Sequence, residues 1–139
     1  MGESALLVSE FDQQRLQALI AACLEKADAA EQRVVEPLAT VLDRATIVQA
    51  GEIPEDVVTM NSIVRLRDLD SGKARVYALT FPADSNETEG RMSILDPLGA
   101  AMLGSRVGGV VEPALAAGPK RFRVETLIYQ PERTGHYSL

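Results

Sequence analysis

The stretch RMSILDPLGAAMLGSRVGG, residues 91–109, carries the clearest structural signals in the chain. It begins as a short apolar strand and passes through Asp96 and Pro97 into a helical run that ends at Leu103. An aspartate accepts a backbone N–H at a helix N-terminus, and proline suits the first helical position, where no N–H is needed. Gly104 is the type of residue that ends a helix in the left-handed conformation. The stretch predicts a strand, a tight turn and a short helix.

Period-two patterns on both sides of this stretch predict a sheet. Alternating side chains, a glycine-containing turn at 70–73 and a polar loop at 82–90 are typical of paired strands. The strands are predicted at 63–68, 74–81, 91–95, 110–111 and 120–129. We therefore expect residues 57–139 to form an antiparallel α+β half-barrel of about five strands with one short helix across it.

Residues 1–50 have helical periodicity instead. Ser9 is a suitable N-cap for a helix over residues 9–27, whose apolar residues recur every three or four positions. A second apolar stripe follows a 4-3-4-3 spacing from Val34 to Val48. The two stripes predict an antiparallel helical hairpin, a short coiled coil with helices of ~18 residues and ~27 Å. Pro37 would break a helix interior, so the second helix is expected to start late or to bend there.

Charge and composition narrow the class of function. Residues 1–56 carry eleven acids against four bases, a net charge of −7, whereas residues 57–139 have a net charge of +1. An acidic arm, a linker at 51–56 and a nearly neutral domain are therefore predicted, which argues against direct binding to duplex DNA. The single cysteine, Cys23, fits a reducing compartment. Without a membrane span or signal peptide pattern, the expected location is cytoplasmic.

Several ordered blocks of the sequence resemble the Gre family of bacterial transcript-cleavage factors. The blocks are VTMNSIVRLRDLDSGKARVYALTFP at 58–82, the opening stretch at 91–109, and RFRVETLIYQPE at 121–132. The VVTMNS, GAAMLGSRVG and YQPE segments are also similar to the shorter branch of that family, the regulators of nucleoside diphosphate kinase. This resemblance implies a C-terminal domain with the fold of FK506-binding proteins, preceded by a helical hairpin shorter than that of the cleavage factors.

The resemblance also implies a partner and a mode of binding. Gre-like proteins dock this domain at the rim of the RNA polymerase secondary channel and insert the hairpin towards the active centre. The shorter branch resembles competitors for the channel without strong cleavage activity. An acidic arm agrees with a channel that binds magnesium, because opposite charges favour association. We expect a non-enzymatic regulator that binds bacterial RNA polymerase and needs no cofactor, metal, membrane or duplex DNA.

Asp28 and Glu31 are the candidate residues of the hairpin tip. In the cleavage factors, acidic tip residues help to hold a catalytic magnesium ion that activates water, so the same role here would make the protein a transcript-cleavage factor. The D-x-x-E spacing equally predicts a capping box for the second helix. The capping interpretation is favoured, since a short hairpin would stop before the metal centre.

Asp96, Pro97, Leu98, Gly99 and Met102 are the candidate residues for docking on the polymerase, again by resemblance. Exposed Leu98 and Met102 would suit such a contact. The alternative is that both side chains pack on the sheet as the buried face of the short helix. The sequence leaves these two interpretations open. The family often has serine where this chain has Asp96, and both residues can cap a helix.

Other chemistry is disfavoured by the residues present. His136, the single histidine, lies in a polar tail, and Cys23 lies on the apolar helix stripe without a histidine partner. Three phenylalanines and three tyrosines are scattered along the chain. A prolyl isomerase of this fold lines its pocket with aromatic residues, so that activity is not expected from the fold alone.

Overall fold

The described part of the chain folds into a mixed five-stranded sheet and a group of short helices. The computed structural model describes residues 6–26, 28–115 and 117–134, and the side chains of residues 31, 114 and 134 lie outside this description. The helices are α1 (Glu10–Leu24), α2 (Ala29–Arg33), α3 (Glu36–Arg44), α4 (Pro97–Met102) and α5 (Pro131–Thr134). The strands are β1 (Leu7–Ser9), β2 (Thr46–Val48), β3 (Ile63–Asp68), β4 (Ala74–Thr80), β5 (Arg91–Ser93), β6 (Val110–Val111), β7 (Ala114–Leu115), β8 (Gly118–Pro119) and β9 (Phe122–Tyr129). Single turns of 3-10 helix lie at Ala50–Glu52, Pro82–Asp84 and Glu87–Glu89.

Helix α1 begins where the sequence predicts. The Ser9 hydroxyl accepts the Asp12 backbone N–H at 3.1 Å, which confirms the predicted N-cap. The helix ends at Leu24, one turn before the predicted end at residue 27. Its 15 residues span about 22 Å, so the predicted length of ~27 Å is wrong. Leu16, on the predicted apolar stripe, is fully buried.

The second helical stripe is divided between two helices. Helix α2 ends at Arg33 and α3 begins at Glu36, so Pro37 lies in the first turn of α3. There its missing N–H interrupts no hydrogen bond. Of the late start and the bend that the sequence leaves open at Pro37, the structure shows a break just before it, with helix on both sides.

This break changes which stripe residues are buried. Leu38 is 0% exposed, but Val34, before the break, is 43% exposed. At the other end α3 stops at Arg44, and Val48 lies in β2. The prediction of one continuous heptad seam from Val34 to Val48 is wrong at both ends, because the chain is not one helix there.

A parallel pair of short strands, β1 and β2, joins the two ends of the helical segment. Strand β1 pairs with β2 in the register Leu7 opposite Thr46 and Ser9 opposite Val48. The Thr46 N–H also donates to the Leu6 carbonyl at 2.7 Å. This pair is not predicted from the sequence, since three-residue strands carry no periodic signal. We refer to residues 6–48 as the helical arm.

The main sheet has the strand order β5-β4-β3-β9-β6 and is curled into a half-barrel. Strand β3 is antiparallel to both β4 and β9, and β6 is antiparallel to β9. Strand β5 instead runs parallel to β4, so the prediction of an all-antiparallel sheet is wrong at this edge. The loop 81–90 makes two 3-10 turns and brings the chain back alongside the end of β4, so β5 runs in the same direction as β4.

The inner face of the main sheet packs against α4 and the helical arm. On β3, Val64 and Leu66 point inwards and are buried, while Arg65 between them is exposed. One apolar cluster joins residues of the arm, the sheet and α4, including Leu16, Leu38, Leu42, Met60, Leu66, Leu79, Ile94, Met102 and Val124. None of the helices in the described part of the chain combines the length and apolarity that a membrane crossing requires.

Two small elements were not predicted. Strands β7 and β8 form a hairpin in the segment expected to be an irregular connection, with Leu115 opposite Gly118. Helix α5 follows β9 directly, in the YQPE segment. Both are too short for hydrophobic periodicity to reveal them. We refer to residues 57–134 as the sheet region.

Candidate functional site

Residues 93–104 form the turn and helix that the sequence predicts. The Asp96 carboxylate accepts the Leu98 N–H at 2.9 Å, and Pro97 lies in the first turn of α4. The Ser93 hydroxyl accepts the Leu95 N–H at 3.1 Å. Gly104 has a φ of +78°, the left-handed conformation expected after the helix. The predicted strand, turn and helix are confirmed.

Gly99 is required by the packing of α4 on this turn. A Cβ atom at this position would lie 2.2 Å from the Ser93 carbonyl oxygen, a distance that no side chain tolerates. The residue is buried, so a partner protein has no access to it. The glycine of the D-P-L-G segment therefore serves the fold.

Exposure divides the five docking candidates. Leu98 is 5% exposed and Met102 is 0% exposed, and both belong to the apolar cluster. Of the two interpretations that the sequence leaves open, this burial supports the packed one, because α4 turns both side chains onto the sheet. Asp96 and Pro97 remain partly exposed. A partner that touches this turn can reach those two residues.

Asp28, at the predicted hairpin tip, is the N-cap of α2. Its carboxylate accepts the Ala30 N–H, at the N2 position, at 2.7 Å, which is an N-cap hydrogen bond. A capping box would pair Asp28 with Glu31 at N3, and since the Glu31 side chain lies outside the described residues, the box stays a prediction. Gln32 closes the turn by donating to the Lys26 carbonyl at 2.5 Å and to the Leu24 carbonyl at 3.3 Å. This turn joins α1 to α2.

Among the residues that the structure describes, no three histidines, cysteines or acids are grouped so that they could hold a metal ion. His136 lies outside the described residues. Cys23 is a free, partly buried thiol on α1.

A buried polar cluster, which is not predicted from the sequence, joins the helical arm to the sheet region. Asp12 is 2% exposed, although it is charged. Its Oδ1 accepts Arg15 Nη2 at 2.7 Å, and its Oδ2 accepts the Met60 backbone N–H at 3.2 Å. The Arg15 guanidinium also lies over the rings of Phe11 and Phe81, 4.2 Å and 4.7 Å from their centroids. An arm residue thus bonds the backbone of the VVTMNS segment.

The rest of this cluster comes from the VVTMNS and YQPE segments. Thr59 Oγ1 donates to Glu132 Oε1 at 2.7 Å and lies 3.0 Å from the Ser62 hydroxyl. The Ser62 hydroxyl also accepts the Thr59 N–H at 2.9 Å, across a turn in which Asn61 has a φ of +65°. We call the set Asp12, Arg15, Thr59, Met60, Ser62 and Glu132 the arm–sheet joint.

Burial perturbs both acids of the arm–sheet joint. It raises the pKa of Asp12 above its ordinary 3.8, against the opposing effects of Arg15 and of the Met60 N–H. Burial also raises the pKa of Glu132 above 4.5. The hydrogen bond from Thr59 opposes this rise, whereas the nearby charge of Asp12 adds to it. The two acids, one from the arm and one from α5, are therefore electrostatically coupled.

Gln130 attaches the YQPE segment to the chain that precedes β3. It is 1% exposed, and its Nε2 donates to the Pro54 and Val57 carbonyls at 2.7 Å each. Arg133 also donates to the Glu55 carbonyl, at 2.6 Å. The segment predicted as a linker is thus hydrogen bonded to the C-terminal residues.

A signal for the arm–sheet joint was present in the sequence. Asp12 and Arg15 lie one turn before Leu16 and Leu19, so the apolar stripe of α1 continues into charged residues. A charge on a core-facing stripe, with an oppositely charged residue three positions away, indicates a buried ion pair. Its partners in the sheet region were not predictable, because Met60 lies 48 residues further along the chain.

The architecture of the sheet region has a match among protein families. The family described as "Transcription elongation factor, GreA/GreB, C-term" matches residues 53–129. This range includes the main sheet and α4, and it covers more than half of the chain. The chain belongs to the GreA/GreB transcription elongation factor family. The resemblance seen in the sequence is confirmed.

Individual GreA/GreB relatives support this assignment. The chain is 36% identical to the regulator of nucleoside diphosphate kinase of Escherichia coli K12, over 140 residues that cover 100% of both proteins. It is 32% identical to transcription elongation factor GreA of Clostridium perfringens SM101 over 94 residues, 68% of this chain and 59% of that protein. A GreA/GreB structure from Nitrosomonas europaea superposes with a TM-score of 0.70 at 33% identity, covering 89% of this chain and 99% of that one.

Proposed function

We propose that this protein binds bacterial RNA polymerase at its secondary channel and regulates transcription elongation without cleaving RNA itself. The observation that carries the proposal is the end-to-end match to a GreA/GreB relative that is named as a regulator, at 36% identity. Cleavage factors such as GreA match over a shorter range, 68% of this chain. In this proposal the protein occupies the channel and limits the access of Gre-type cleavage factors.

The architecture proposed for this function has two parts. Residues 1–50 form an antiparallel helical hairpin, residues 51–56 a linker, and residues 57–139 a domain with the fold of FK506-binding proteins. The curled sheet crossed by α4 supports the second assignment, and burial of Leu16 and Leu38 in one cluster supports the first. In this arrangement the acidic arm enters the channel.

Docking at the channel rim is proposed for the turn before α4. Asp96 and Pro97 are its accessible candidates. Asp96→Ser keeps an oxygen for capping and removes the charge, so it separates docking from folding. We expect this variant to fold normally and to be retained less well on immobilised polymerase. Equal retention would remove Asp96 from the proposed contact.

The capping role of Asp28 supports a non-catalytic tip, since its carboxylate is engaged by Ala30. Backtracked elongation complexes test this directly. We expect no RNA cleavage above the polymerase background, with the wild-type chain or with the D28A/E31A double variant. Cleavage by the wild type that the double variant loses would establish a transcript-cleavage factor instead.

Two binding measurements test the remainder of the proposal. Core RNA polymerase should be captured by the immobilised full chain at low salt, and less well as salt screens the acidic arm. Increasing amounts of the protein should then inhibit cleavage stimulated by a GreA factor. A lack of polymerase capture at low salt would contradict the proposed function.

A further inference from the structure

The inner face of the main sheet stays partly open beside the β3–β4 turn. Helix α4 has six residues and covers only part of this face. A groove of about 430 Å³ remains between α4, strands β3, β4 and β9, and the β7–β8 hairpin. Its apolar floor consists of Leu66, Leu98, Leu115 and Phe122. We call this cavity the inner-face groove. Cavities of this size are typical of ligand sites.

On β4 the usual placement of apolar and charged side chains is reversed, and this places a positive charge in the groove. Arg75 pairs with Leu66, which is 1% exposed, so by the alternation of strands its side chain lies on the inner face. Val76, on the outer face, is 47% exposed. A strand with one buried face ordinarily has the apolar residue inside and the charge outside. Here the charge faces the groove, as does the half-buried Tyr77 further along β4.

The groove carries an excess of positive charge. Lys120 is neutralised by Asp68, 2.9 Å away, and this hydrogen bond is the main reason that the pKa of Asp68 falls to about 2. Within the described part of the chain, the side chains of Lys73 and Arg75 make no hydrogen bond or ion pair. Two uncompensated cations therefore stand beside an apolar floor.

The neighbouring cavity does not share this positive excess. It shares Arg75 and Tyr77 with the groove, and its other charged residues are Arg91, Glu87 and Asp96, so that two bases stand against two acids. An acidic ligand placed there would meet as many like charges as opposite ones. The inner-face groove thus combines an apolar floor with an excess of positive charge, whereas the neighbouring cavity is balanced in charge.

We propose that the inner-face groove binds an acidic, extended peptide segment of a protein partner. One apolar side chain of the peptide packs on the floor, and flanking carboxylates pair with Lys73 and Arg75. An arginine binds a carboxylate through two parallel hydrogen bonds, which fixes the direction of the peptide. This proposal does not depend on whether the partner is RNA polymerase.

A peptide titration of the isotope-labelled full chain, followed by NMR, tests the site. The probe is a blocked Glu-Glu-Leu-Glu-Glu peptide, and saturable shifts are expected at the amides of Leu66, Tyr77 and Phe122 with half-saturation at about 1 mM. A Lys-Lys-Leu-Lys-Lys peptide and a Glu-Glu-Gly-Glu-Glu peptide serve as controls for charge and for the apolar anchor. Each control should bind at least about tenfold more weakly.

Variants assign the effect to the groove. Arg75→Glu and Lys73→Glu should each weaken binding of the acidic peptide about tenfold. Arg123→Glu makes the same change of charge at an exposed position on the opposite face of β9 and should bind as the wild type does. The proposal is overturned if the shifts do not saturate, if either control peptide binds equally well, or if Arg123→Glu weakens binding as much as Arg75→Glu does.

Discussion

Gly99 lies where α4 begins to cross the turn that precedes it. The 2.2 Å that would separate a Cβ atom here from the Ser93 carbonyl oxygen leaves no room for any side chain. The clash is with backbone, which cannot rotate away. The glycine of the D-P-L-G segment is thus required because one added Cβ atom would clash with the backbone.

Gly99→Ala is expected to destabilise the protein by about 2 kcal/mol or more, because the turn and α4 must move apart. Gly51→Ala is the matched control, since a Cβ atom there meets nothing within 4 Å. It should change the free energy of unfolding by less than about 0.5 kcal/mol. Urea unfolding measures both. Equal stabilities of the two variants would show that the turn adapts.

The buried acids make stability depend on pH. Burial raises the pKa of Glu132 above 4.5, so the folded protein binds more protons than the unfolded chain between that value and the raised one. Within this window the contribution of Glu132 to stability falls as the pH rises. The sign is opposite to that of a salt-bridged surface acid.

Glu132→Gln should therefore gain stability relative to the wild type as the pH rises from about 4 to about 6. Glutamine keeps an acceptor oxygen for Thr59 but does not titrate. Urea unfolding at several pH values measures the difference in free energy of unfolding. The exposed Glu112→Gln, which removes a carboxylate outside the arm–sheet joint, is the matched control. A constant difference for Glu132→Gln would exclude the predicted linkage.

At the scale of elements, α4 depends on its cap more than a long helix would. It has six residues, and the Asp96 carboxylate satisfies one of its free N–H groups. Asp96→Ala is expected to cost about 1 kcal/mol, whereas Asp96→Ser should cost only a few tenths, since serine is also a good N-cap. Thermal unfolding of both variants makes the comparison. A serine variant as unstable as the alanine variant would indicate that the charge, and not the cap, stabilises this turn.

The helical arm shows how one residue reorganises an element. Pro37 is accommodated in the first turn of α3, so the apolar stripe is interrupted and Val34 becomes exposed. The stripe predicted the presence of helices correctly. It did not predict their number, since periodicity alone does not register a break of two residues.

At the scale of the whole molecule, the arm and the sheet region share one apolar cluster. The arm–sheet joint adds the hydrogen bond from Met60 to Asp12 across the same boundary. Burial common to both parts couples their stabilities. We therefore expect one cooperative unfolding transition for the full chain.

Leu38→Ala tests this coupling. It should cost about 3 kcal/mol, since Leu38 is 0% exposed, and it should shift the helical and tyrosine signals to the same lower midpoint. Val34→Ala, in the same stripe but 43% exposed, should change stability by less than about 0.5 kcal/mol. Circular dichroism and tyrosine fluorescence during urea unfolding provide the two signals. Separate midpoints would show that the arm unfolds on its own.

The sequence by itself predicted the features that arise within a few residues. The Ser9 and Asp96 caps, the left-handed Gly104 and the β3–β4 hairpin follow from local hydrogen bonding and period-two alternation, and all are present. The family was also identifiable, because its segments are local turns and packing points. Caps and turns depend on residues that lie within a few positions of one another, so they can be predicted from the sequence.

Only the tertiary structure decided the rest. The parallel direction of β5, the burial of Leu98 and Met102, and the charge of Asp12 inside the molecule depend on segments that are distant in sequence. Met60 N–H reaches Asp12 across 48 residues, and Glu132 reaches Thr59 across 73. An apolar stripe in the sequence indicates that one face of a helix is buried. Which residues cover that face is determined only when the elements pack together.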